Sequence, residues 1–258
     1  MTELAHDIDR YTDAAGDHER VIRIELAATF RWTARLGWNE AVANHFSAMV
    51  DDQRFLLNPV GKHFARMTAS ELLVLDATRA GESGAGPEGA DVTAWCLHAH
   101  VHRHVPRAKV ILHTHMPYAT ALACLDGYEF QMLDQTACRF FGSVGYDREY
   151  GGMLMDDSEG ERVVRLLGYE NNVLLLGNHG VIVVGETVAE AWDDLYHFER
   201  ACRLQVLALS TGRPLAVLGD DVAATTAAQW RDYPHAAAQA HLSELMSLLD
   251  ELDPGYAA

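Results

Sequence analysis

Residues 173–185 read VLLLGNHGVIVVG. Two apolar runs flank Gly-Asn-His-Gly, which is long enough only for a tight reversal, so the segment predicts a strand, a turn and a second strand. Runs with no polar face belong to a sheet covered on both sides, and this hairpin therefore demands helices packed over it. The turn also puts His179 at the end of two buried strands, where a polar side chain without a partner is costly. Either His179 hydrogen-bonds the turn backbone, or it holds a ligand.

A second apolar run, KVILHTH at 109–115, ends in two histidines. In a strand, His113 and His115 point to one face, roughly 6.5–7 Å apart along the chain. Their Nε2 atoms can converge on one ion at roughly 2.0–2.1 Å if it is zinc. Such a pair needs a third ligand from elsewhere, and His179 is the best candidate.

His98, His100, His102 and His104 alternate just upstream. Thr93 as N-cap, the repeat Leu97, Val101, Val105 and the stop at Pro106 predict a helix rather than a strand. On that helix the histidines split into the pairs 98 with 102 and 100 with 104. No Glu follows in the zinc-protease pattern, so a solvated or packed helix face is expected, with His98 the exception.

Elsewhere the spacing predicts a helix over about 17–36 with Gly37 as its C-cap, then strands HFSAMV and RFLLNPV around the turn 51–53. Thr68 and Glu71 fit a capping box opening a short helix or turn. GESGAGPEGAD at 81–91 reads as a flexible loop, followed further on by a helix over about 117–123 and two long helices over about 188–210 and 222–252. One α/β domain over 1–258 accounts for the pattern.

With 49% hydrophobic residues in 258, the chain can bury a sizeable core. A formal charge of −17 argues against a nucleic-acid partner. No apolar run approaches the roughly 20 residues that span a bilayer, and the N-terminus lacks a signal-peptide stretch, so a cytoplasmic protein without membrane partners is expected. Cys96, Cys124, Cys138 and Cys202 form no CxxC pair and are expected to be reduced thiols.

ANHFS (43–47), NPVGKHF (58–64), TASELL (68–73), the helix carrying His98, RAKVILHTHMPYATALA (107–123), EYGGMLMDD (149–157) and LLLGNHGVIVVG (174–185) occur in one order and spacing. In these motifs the sequence resembles the class II aldolase/adducin-head family over most of its length. The resemblance implies a three-layer α/β/α sandwich with a central mixed, largely antiparallel sheet. It implies His113, His115 and His179 as ligands of one divalent metal ion per subunit, zinc first, with Fe(II) or Mn as alternatives. It also implies a homo-oligomer, a tetramer as the first expectation, acting on a small-molecule substrate.

One departure shapes the expected chemistry. The sugar-phosphate aldolases of that family carry a glutamate 19 residues before the first HxH histidine and a helix histidine 15 before it. Here those offsets land on Ala94 and His98. Glu88, in the glycine-rich loop, reaches a metal only if that loop folds back. The family's phosphate-holding hydroxyls are also thinned: Val92 and Thr93 stand for two serines, and Val60 precedes Gly61 where a threonine would be. Asn44 and Gly61 remain as substrate-binding candidates, and Lys62 beside Gly61 suits a carboxylate. The expected activity is a metal-dependent carbon–carbon lyase, aldolase or decarboxylase, on a non-phosphorylated carbonyl or carboxylic acid, with Tyr118 and His98 as candidate proton donors. A non-haem Fe(II) oxygenase is the alternative, and a non-catalytic adducin-like scaffold the second.

Overall fold

The apolar run at 173–185 folds as the sequence dictates, into strands β6 (Val173–Leu176) and β7 (Gly180–Gly185) joined by the Gly-Asn-His turn. The structure is a computed structural model that describes residues 18–81, 86–153, 156–233 and 236–258. Residues 1–17 and much of the glycine-rich loop, and any expectation for them, lie outside the described residues.

The hairpin belongs to a seven-stranded sheet. Its other strands are β1 (His45–Met49), β2 (Arg54–Leu57), β3 (Leu73–Asp76), β4 (Val110–Thr114) and β5 (Val144–Asp147). The order across the sheet is β3-β2-β1-β4-β7-β6-β5. Every pairing is antiparallel except β5 with β6, which gives the mixed, largely antiparallel sheet expected.

Alternation of side chains across the pleat sorts the strand residues onto two buried faces. Val110, Leu112, Val181 and Val183 enter the main core with helices α1 (His18–Arg35) and α6 (Val188–Leu209). Ile111, Leu174, Ile182 and Val184 pack on the other side against α2 (Val92–His104) and α5 (Ser158–Leu167). Each buried aliphatic side chain is worth about 1.5–3 kcal/mol, so both helical layers are held by the same strands. The chain is an α/β/α sandwich. The remaining helices are α3 (Pro117–Ala123), the short α4 (Gln135–Cys138), α7 (Asp220–Asp232) and α8 (Ala236–Leu252). No helix among the described residues is long and apolar enough to cross a membrane.

Several local expectations need correction. Helix α2 is capped by Asp91, not Thr93: its carboxylate accepts the Thr93 and Ala94 amides at 2.9 and 3.2 Å. The expected single C-terminal helix is two, because Tyr233 precedes Pro234 and adopts the extended backbone that a following proline imposes (φ −66°, ψ 139°). Strands β3 and β5 and helix α5 add to the elements expected. Of the α2 histidines, only His104 is exposed; His98, His100 and His102 are buried, which removes the solvated-face alternative for those three.

Candidate metal centre

Three elements bring the site together at one end of the sheet. Strand β1 starts at His45, opposite His113 near the end of β4, while Thr114 lies opposite Val181 near the start of β7. His115 follows β4 directly, and His179 directly precedes β7. Backbone conformation makes the second position possible. Asn178 takes a left-handed conformation (φ 57°), which asparagine tolerates better than most residues. Gly180 is required by close approach, since a Cβ there would meet the Thr114 carbonyl oxygen at 2.6 Å and the His115 ring at 2.7 Å.

The imidazoles of His113, His115 and His179 each offer a nitrogen to a group in which all three atoms lie within 4.8 Å of one another. The Nε2 atoms of His113 and His115 are 3.2 Å apart. Two ligands at ~2.0–2.1 Å from a tetrahedral ion would stand about 3.3–3.4 Å apart, so this spacing suits one.

Tautomers sharpen the fit. His113 Nδ1 lies 3.0 Å from the Val181 carbonyl, which can only accept, so Nδ1 carries the proton and Nε2 a lone pair. His115 Nδ1 donates in the same way to the Glu40 carboxylate, which turns its Nε2 toward His113. The two Nε2 atoms thus face each other at short range, the arrangement in which a cation would sit between them. Burial holds His113 well below the usual imidazole range, reinforced by neighbouring imidazoles, and pushes His179 down to about 4. Both are therefore neutral, the state a ligand needs. The donor set fits a divalent ion of the zinc type.

Glu40 escapes sequence reading because it sits 75 residues from His115 on an exposed loop. The Asn44 side chain pins that loop by accepting the Glu40 amide at 2.6 Å. A carboxylate on a ligating histidine fixes its ring and raises its basicity. Glu40→Gln is therefore expected to weaken zinc binding ~10-fold or more, measured by competition with a chromogenic chelator.

The other expected site residues lie as follows. His98 is fully buried and hydrogen-bonded to His45, whose ring stands 4.7 Å from that of His113. Tyr118 opens α3 with its ring on the main core and Arg203 over it at 5.7 Å, and its amide donates to Glu199 at 2.9 Å. Lys62 pairs with Glu71 at 2.5 Å. Gly61 forms an exposed turn at φ +74°, and Val60 beside it bonds Gly89. Glu88 is exposed, and Ala94 is buried beside Trp95 and Phe55. The structure thus gathers the three histidines and His98's neighbour His45, while Tyr118, Lys62 and Asn44 make their described contacts with other groups. His45 was legible in principle: His45 and Ser47 alternate with Phe46 and Ala48, which sends two polar groups to a buried face.

Fold and cluster together define an α/β/α protein with a three-imidazole centre at the strand ends. The chain belongs to the class II aldolase and adducin N-terminal domain family, which residues 24–206 match. It is 31% identical to an adducin-related protein of Schizosaccharomyces pombe over 93% of this chain and 77% of that one. It is 27% identical to the decarboxylase NovR of Streptomyces niveus, over 92% and 90% of the two chains. The crystal structure of an aldolase II superfamily protein from Pseudomonas syringae superposes with a TM-score of 0.84 at 29% identity, covering 95% of this chain and 98% of that one.

Proposed function

We propose that this protein is a divalent-metal-dependent carbon–carbon lyase that cleaves or decarboxylates a small, non-phosphorylated carbonyl or carboxylic acid. The observation that carries the reading is the three-histidine cluster with no carboxylate among its ligating groups. A divalent ion held by three neutral imidazoles keeps its full charge and supplies Lewis-acid polarisation of a substrate oxygen.

The residues of the chain do the rest. His113 and His115, locked by Val181 and Glu40, hold their lone pairs on a common point without reorganisation. Ala94, where sugar-phosphate aldolases carry their glutamate, is apolar and packed, so no acid acts from that position. Decarboxylation suffers least from that loss, because departure of CO₂ requires no base, and the decarboxylase among the relatives supports it. Lys62 is paired with Glu71, so it offers neither a phosphate nor a carboxylate a free ammonium group.

The test is an anaerobic panel of small keto and hydroxy acids with zinc-, manganese- and Fe(II)-loaded protein, following CO₂ and aldehyde. Release without oxygen, abolished by chelator and restored by metal, is expected. Product that forms only as oxygen is consumed would replace the lyase with an oxygenase. Metal-free protein after purification without chelator, refusing added zinc, would leave a scaffold.

A further inference from the structure

Buried polar groups between α2 and the sheet form one hydrogen-bonded line ending beside the metal centre, and its direction follows from its far end. His102 Nδ1 lies 2.8 Å from the Ala108 carbonyl oxygen. A carbonyl only accepts, so Nδ1 carries the proton. Burial holds that ring neutral, its pKa lowered to about 3, and Nε2 is therefore an acceptor. Ser47 Oγ, 2.7 Å from that Nε2, must donate to it. Its oxygen then accepts from His98 Nδ1, 2.5 Å away. His98 is also held neutral by burial, so its Nε2 accepts from His45 Nδ1 at 2.7 Å.

His45 is the open end of the line. His45 is buried, and its Nδ1 carries the proton that His98 accepts, so the neutral ring keeps a bare lone pair on Nε2. No hydrogen bond among the described residues engages that atom. The Asp91 carboxylate draws on the His45 ring, but it is itself an acceptor, and its Oδ1 is engaged by Thr93 and Ala94. His45 faces His113 across the β1–β4 pairing with ring centroids 4.7 Å apart, yet it is not one of the three nitrogens that cluster within 4.8 Å. It stands beside the metal position without joining it.

We propose that His45 is a specificity-determining acceptor, selecting substrates that carry a hydroxyl next to the oxygen taken by the metal. The preferred class is hydroxy acids over their deoxy counterparts. The inference rests on the metal-centre reading above. Ser47, His98 and His102 are positioning residues, which set the tautomer that His45 presents.

Two measurements test it on the full-length chain. Two-bond proton–nitrogen spectra of ¹⁵N-histidine protein should show Nδ1–H, with bare Nε2, at His45, His98 and His102. Ser47→Ala should release that preference at His98 and His45. An Nε2–H tautomer at any of the three in the wild-type protein overturns the proposal, whether or not metal binds. Calorimetry of zinc-loaded protein with glycolate and acetate should show a glycolate preference that falls roughly 5–10-fold in His45→Phe, the worth of one hydrogen bond. His45→Gln, which keeps an acceptor, should recover part of it. An unchanged preference in His45→Phe at full zinc content overturns the inference alone; failure of the wild-type protein to take zinc removes the lyase reading as well.

Discussion

Replacing His179 with alanine is expected to strip zinc from the protein while leaving its fold in place. The ring lies in a turn, half-buried, with its described contacts confined to the other two imidazoles and Tyr150, so no core packing depends on it. Zinc sites in small folded peptides contribute about 10–16 kcal/mol over four ligands, so one ligand is worth ~3–4 kcal/mol, or a ~100–1,000-fold loss of affinity. Metal analysis after dialysis should find close to no zinc in His179→Ala and full occupancy in His104→Ala, whose exposed imidazole lies on α2. Full occupancy in both variants would dismiss the three-histidine centre.

Gly180→Ala is expected to damage stability and metal binding together. Its new Cβ would come within 2.6 Å of the Thr114 carbonyl and 2.7 Å of the His115 ring, and the first of these is backbone in a central strand. Forcing a methyl group into such a space costs about 1–3 kcal/mol and shifts the neighbours. The melting temperature should fall by several degrees, at ~2–4 °C per kcal/mol for a chain of this size class. Because His115 is one of the displaced neighbours, zinc affinity should drop ~10-fold or more. A variant that melts lower but binds zinc unchanged would show that His115 does not depend on this contact.

The parts of the fold legible in sequence are those where one local signal decides. Apolar runs announced β4, β6 and β7; proline and glycine marked the ends of α1 and α2; and the HxH and NHG motifs supplied the metal candidates. The break between α7 and α8 lies at Pro234, which bars Tyr233 from helical backbone, and a reading of one helix over 222–252 passed over it. Strand β3 was hidden behind a capping signal that is real, since Glu71 does accept the Thr68 amide and hydroxyl. The short helix it opens ends after one turn and the chain extends. Burial of His98 and His102 depended on Ser47, Ala108 and strand β1, and that of His100 on Gly160 of α5, partners that no window along the helix contains. Glu40 is the clearest case, because its role arises from tertiary contact alone.

The pairing of β4 with β7 fixes more than topology. Because the candidate ligands stand at strand ends, the sheet itself brings their nitrogens within 4.8 Å of one another. If the proposed centre holds an ion, its ligands need no rearrangement of the sheet to meet it, and uptake is expected to follow free ion concentration in a stopped-flow measurement. The ion in turn adds to thermal resistance only through mass action, according to its concentration relative to its dissociation constant. On the proposed reading, a cell short of the metal would hold folded protein that a returning supply could load without new synthesis.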